Sequence, residues 1–109
     1  MKIAGVPFAT TDWAALPASE TGGERGSAAT RMIELGNLRL RMVEYSPGYR
    51  ADHWCPRGHV VLVLAGALSV LLKDGRRFES AAGQSFQVAD DDGFHLVESA
   101  GGATVFIVD

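Results

Sequence analysis

Cysteine is almost absent from this sequence: Cys55 is the only one, so no intramolecular disulfide can staple the chain. Stability must come from apolar burial, and 109 residues suffice for that in one domain but not in two. One unpaired thiol suits a reducing compartment, and a cytoplasmic location is expected. Excess positive charge is lacking as well. Ten Lys and Arg stand against thirteen Asp and Glu, and only Arg76 and Arg77 adjoin, which argues against a nucleic-acid partner. The longest apolar run, residues 60–68, falls far short of the roughly 20 residues a membrane helix needs, so no membrane partner is expected. The first residues lack the unbroken apolar stretch of a secretory leader. Long repeats, glycine-rich phosphate loops opening a helix and a nucleophile elbow around a serine are missing too. Nucleotide binding and a serine-hydrolase triad are therefore not expected.

What is present is a series of short extended runs with turn residues between them. Gly36-Asn37 separates ATRMIEL from NLRLRMVEYS, and Ser46-Pro47-Gly48-Tyr49 has the composition of a type II turn. Lys73-Asp74-Gly75-Arg76 is a hairpin signal, and Gly66 marks a corner between HVVLVLAG and ALSVLLK. Roughly nine strands at about ten-residue spacing, with no convincing helix, predict an all-β sandwich or barrel. Residues 1–29, rich in Gly, Ser and Ala, read as an irregular arm of the same domain as the barrel, 30–109. Leu38, Leu40 and Met42 alternate with Arg39, Arg41 and Val43, the period of a half-buried strand. The two arginines are expected in solvent; only on a lumen-facing strand would they attract an anionic ligand.

The chemistry concentrates in ADHWCPRGH. His53 and Cys55 are two apart, so on a strand they share a face, with Cα atoms about 7 Å apart. Cys-Pro-Arg-Gly then supplies a turn, and His59 opens the next strand; antiparallel pairing would set it across from Cys55. His95 begins a later strand after DDDGF and can approach from another side. Imidazole nitrogens and a thiolate are the donors of a borderline-soft metal site. The same residues also suit a half-buried histidine and a small buried thiol, and spacing alone leaves both readings open. Asp52 points to the opposite strand face and is not expected as a ligand. Asp90-Asp91-Asp92 reads as a solvated turn, lacking the alternate spacing of a calcium loop.

From Gly48 to Gly66 the chain resembles the first conserved motif of the cupins, small β-barrels of the jelly-roll type. Cys55 stands at that motif's second histidine and His59 at its glutamate. The stretch from Gly83 to Ser99 is similar to the second motif, with His95 at its metal-binding histidine, although Ala89 replaces the motif's proline and Asp91 its second glycine. Asp52-His53-Trp54-Cys55 further resembles the subgroup named for Asp, His, Cys and Trp, the DHCW cupins. The resemblance implies a single-domain jelly-roll barrel with His53, Cys55, His59 and His95 as metal ligands. It implies a divalent transition metal, with zinc best suited to three imidazoles and a thiolate, and iron, nickel or copper as alternatives. A small-molecule ligand is expected. The activity would be an oxygenase, isomerase or lyase type of chemistry, or else non-catalytic binding, sensing or a structural metal. A weaker alternative makes Cys55 a redox thiol tuned by the histidines. Cupin relatives also imply a homodimer, built through an N-terminal strand such as residues 3–13. Tyr45, Tyr49, Gln84 and Gln87 are candidates for lining the barrel.

Overall fold

A computed structural model describes residues 2–109. A 3-10 turn at Trp13–Ala15 precedes nine strands: β1 (Ser19–Gly22), β2 (Ser27–Leu35), β3 (Leu38–Tyr45), β4 (Tyr49–Arg50), β5 (His59–Leu72), β6 (Arg77–Ala81), β7 (Ser85–Val88), β8 (His95–Ser99) and β9 (Ala103–Val108). Every strand pair is antiparallel. The sheet curls into two leaves that share β5. Its first half, from His59 to Gly66, runs between β9 and β7, and β3, β2 and β1 extend that leaf. Its second half lies between β6 and β8, with β4 beyond.

The bend in β5 follows from its sequence. Pairing with β9 shifts register between Val63 and Ala65, and Gly66 then takes φ +74°. A β-carbon there would also collide with the Gly102 carbonyl oxygen, so only glycine fits the corner. Gly48, at φ +78°, completes the expected turn, in which the Tyr49 amide donates to the Ser46 carbonyl at 3.1 Å. Val43, Val61, Val63, Val105 and Ile107 from one leaf pack with Leu68 and Val70 from the other to form the core.

Two departures from the expected pattern matter for the site. The sheet begins inside residues 1–29, because β1 and β2 pair from Gly22 and Ser27 outward. On β3 the arginines face inward. Arg39, Arg41 and Tyr45 share the face of buried Val43, whereas Met42 lies on the other face opposite Phe106. Trp13 packs edge-on against Phe106 at 5.5 Å, and Arg31 Nε donates to the Leu16 carbonyl at 3.0 Å, so the arm covers that outer face. Both faces of β3 are therefore covered, and the apolar side chains no longer mark which one is the interior. Among the described residues, no helix is long and apolar enough to cross a membrane.

Candidate metal centre

Cys55, His59 and His95 come together at one end of the barrel, each offering a donor atom within 4.8 Å of the others. Backbone pairing sets two of them. The Cys55 amide donates to the His95 carbonyl at 2.7 Å, and the His95 amide returns a bond to the Cys55 carbonyl at 3.2 Å. This reciprocal antiparallel bridge directs both side chains to the same face. The sequence pattern suggested His59 as the residue across from Cys55; His59 instead pairs with Val88 of β7. It enters the cluster from the other leaf, on the inward face that continues to Val61 and Val63. Phe86 closes one side, edge-on to both imidazoles at centroid distances of 6.2 and 5.8 Å.

The imidazoles meet through Nε2, 2.8 Å apart. Behind them, His95 Nδ1 lies 3.1 Å from the Gly93 carbonyl oxygen and His59 Nδ1 lies 3.4 Å from Asp109 Oδ2. Both outer neighbours are pure acceptors, so each ring is drawn to carry its proton on Nδ1. With both protons on Nδ1 the Nε2 pair has no donor and suits a cation between the two lone pairs; with one ring in the other tautomer, one Nε2–H donates to its neighbour. A carboxylate or a carbonyl behind each histidine is also the usual support of a metal-bound imidazole. Nitrogens that both bind one ion at about 2.0–2.1 Å lie no more than about 4.2 Å apart, a limit the imidazole pair meets. The imidazole pair therefore meets the spacing a transition metal requires, and the Cys55 donor lies within 4.8 Å of both.

Asp109, just beyond β9, is the carboxylate under the site, with its side chain only 4% exposed. Arg39 grips it with two bonds of 2.8 Å, and Arg41 Nη2 adds a third at 2.9 Å. Burial pushes the Asp109 carboxyl up, but the Arg39 hydrogen bond and the two guanidinium charges outweigh it and hold its pKa at about 2. Burial first, and then the His95 ring, lower the pKa of His59, against the opposing bond to Asp109. The neutral imidazole that a metal needs is thus the favoured form.

His53 sits differently. The chain around it is a bend rather than a strand, so the two-residue spacing to Cys55 does not place the side chains together. Its side chain is 73% exposed, and Nδ1 lies 2.7 Å from Asp52 Oδ1. It lines the mouth of the same cavity but is not among the three clustered donors. Asp90 Oδ1 accepts from the Gly58 amide at 2.7 Å, bracing the loop before His59.

The cluster opens onto a lumen of about 320 Å³ between the leaves, lined also by Arg39, Arg41, Tyr45 and Tyr49. Phe86 and His95 separate it from a larger opening of about 820 Å³ beside β6 and β7, where Gln84 and Gln87 lie. Asp109 had a readable signal. It continues the buried alternation Ala103, Val105, Ile107.

A curled antiparallel barrel with histidines at one end is a cupin-type jelly roll, and comparison with solved structures agrees. An RmlC-like cupin from Shewanella frigidimarina superposes with a TM-score of 0.77 at 18% identity, covering 95% of this chain and 91% of that one. A protein from Thermotoga maritima described as a predicted oxalate decarboxylase gives 0.75 at 12% identity, over 92% and 96% of the two chains. Ectoine synthase from P. lautus also gives 0.75 at 12% identity, over 93% and 76%. The chain has the cupin fold. No family model and no curated protein sequence matches it.

Proposed function

We propose that this protein is a metal-binding cupin in which Cys55, His59 and His95 hold a divalent transition metal beside a lumen that accepts a small molecule. The gathering of Cys55, His59 and His95, with donor atoms within 4.8 Å of one another, carries this reading. A thiolate with two imidazoles suits zinc best among the common divalent ions, with iron, nickel and copper next. His53, at the cavity mouth, is the fourth residue of the proposed set and reaches the others only by leaving Asp52. The order Asp52-His53-Trp54-Cys55 favours the DHCW subgroup.

Three clustered donors beside a cavity favour chemistry or ligand binding over a closed structural site, which takes four protein ligands. When bound, such an ion supplies Lewis acidity to an oxygen of the small molecule. The chain's own residues do the rest. Asp109 and the Gly93 carbonyl orient the two rings, and Phe86 shields them from water on one side. Burial, ahead of the neighbouring Tyr49, raises the pKa of the Tyr45 phenol, which therefore faces the lumen as a neutral O–H donor.

Metal analysis of protein purified without added metal tests this, together with Cys55→Ser and His95→Ala. The expected result is one equivalent of metal in the wild type and its loss in both variants. Stoichiometric metal retained by both would overturn the site.

A further inference from the structure

The lumen is positively charged in a chain whose net charge is −3. Arg39, Arg41 and Arg57 line it together with Cys55, His59 and His95, and no carboxylate does. Asp109 lies behind the wall and is oversubscribed. Its two oxygens accept two bonds from Arg39 and one from Arg41, with His59 Nδ1 at 3.4 Å. Besides Arg57 at the lumen, two guanidiniums on one carboxylate leave one positive charge in the wall.

That charge falls on Arg41. Arg39 makes a paired, two-bond contact with Asp109, whereas Arg41 donates to it through Nη2 alone. Arg41 Nε is fully buried and finds no acceptor among the described residues. A guanidinium carries five N–H donors in a rigid fork, and burying it under-bonded is costly. The effect shows in its pKa, which burial lowers against the opposing pull of Asp109. Yet Arg41 is held at the site: Asp109 Oδ2 faces both Arg41 Nη2 at 2.9 Å and His59 Nδ1 at 3.4 Å. An anion that met the rest of this guanidinium would lie beside the donor cluster.

We propose that the lumen binds a small organic carboxylate, its charged end on Arg41 and its body against the apolar wall formed by Val61, Leu68, Val97 and Ile107. This rests on the reading of the lumen as a small-molecule site and adds the ligand's class. A carboxylate fits better than a phosphate on two grounds. The planar fork of arginine matches a planar carboxylate with two parallel bonds. The remaining wall mixes apolar side chains with Thr21, Thr30, Tyr45 and Tyr49, and about 320 Å³ suits a small acid rather than a nucleotide.

The test is a titration of backbone amide NMR shifts at fixed ionic strength with acetate, butyrate and benzoate. Butyramide serves as the neutral isostere of butyrate, and inorganic phosphate as the competing anion. Wild type is examined after chelation and after zinc loading, beside Arg41→Met and Arg41→Lys. Saturable shifts at lumen residues with at least one carboxylate are expected in the chelated wild type, with butyramide about ten-fold weaker or more. Arg41→Met should lose about ten-fold or more, with Arg41→Lys between them. Equal binding of butyrate and butyramide, tighter binding of phosphate, no saturable carboxylate binding, or an unaffected Arg41→Met would each overturn the proposal. The wild-type comparison stands even if a variant fails to fold. Zinc uptake is measured separately on the same samples. Failure of the metal reading thus appears as lost metal with carboxylate binding intact, and failure of this one as the reverse.

Discussion

His59 and His95 point their Nε2 atoms at each other across 2.8 Å, while an acceptor stands behind each Nδ1. The rings come from opposite leaves, so a metal held between them would also clamp the leaves together. Removing it should loosen the fold. Chelation of the metal-loaded protein is expected to lower Tm by several degrees, since a metal bound only by the folded state stabilises that state. The difference should shrink as pH falls from 8 to 5, because protons compete for imidazole and thiolate. Differential scanning calorimetry with and without chelator across that range checks both statements.

Asp109→Asn should be among the most damaging single changes. It keeps the shape but removes the charge that Arg39 and Arg41 share in a site only 4% exposed. Breaking a buried pair from one side costs about 3–5 kcal/mol, to be read from urea denaturation. Metal affinity in whatever fraction folds should fall about 10–100-fold, since His59 loses its support. A variant as stable as wild type would show that the arginines are solvated after all.

Gly66→Ala places a side chain at φ +74° and against the Gly102 carbonyl. A loss of about 2 kcal/mol or more is expected from strain and collision together. Gly83→Ala is the control, with φ +88° but open space around it, so it should cost less. The denaturation midpoints of the two variants give the comparison.

Part of the acid limb should trace to Glu98, on β8 three residues after His95. Its carboxyl meets Arg50, Arg25 and Arg77 at 3.1–3.2 Å. Burial pushes its pKa up, but the Arg50 hydrogen bond and the Arg50 and Arg77 charges prevail and bring it below the ordinary 4.5. A depressed carboxyl stabilises the fold above the unfolded value and loses that contribution as pH falls through its folded value. Glu98→Gln should therefore flatten the fall of stability below about 4.5 and lower the plateau above it, where the wild type holds that contribution. Equilibrium denaturation between pH 3 and 6 decides it.

The barrel was legible because its corners carry local chemistry. Gly36, Pro47-Gly48, Gly66 and Asp74-Gly75 each end or bend a run, and each does so in the structure. His95 opens β8 as expected, and three of the four anticipated donors meet. Register was not legible. Cys55 bridges to His95, forty positions on, rather than to nearby His59, because pairing of distant strands leaves no trace in a short window. The inward turn of Arg39 and Arg41 was hidden for a related reason. Alternation marks two faces of β3 but not which is interior, and Trp13 on Phe106 gives the outer face a cover of its own.

β5 carries His59 at its first residue and, at its last, Leu72, the partner of His95. Between them the strand crosses from one leaf to the other at Gly66. No short hairpin contains the donor cluster: its donors meet only once both halves of this strand have found their neighbours. Such long-range pairing is slow, and loop closure precedes its reward. An ion that needs all three donors would therefore find its site only once the barrel has closed. Metal supply should then leave the folding rate untouched and act on how long the closed barrel lasts.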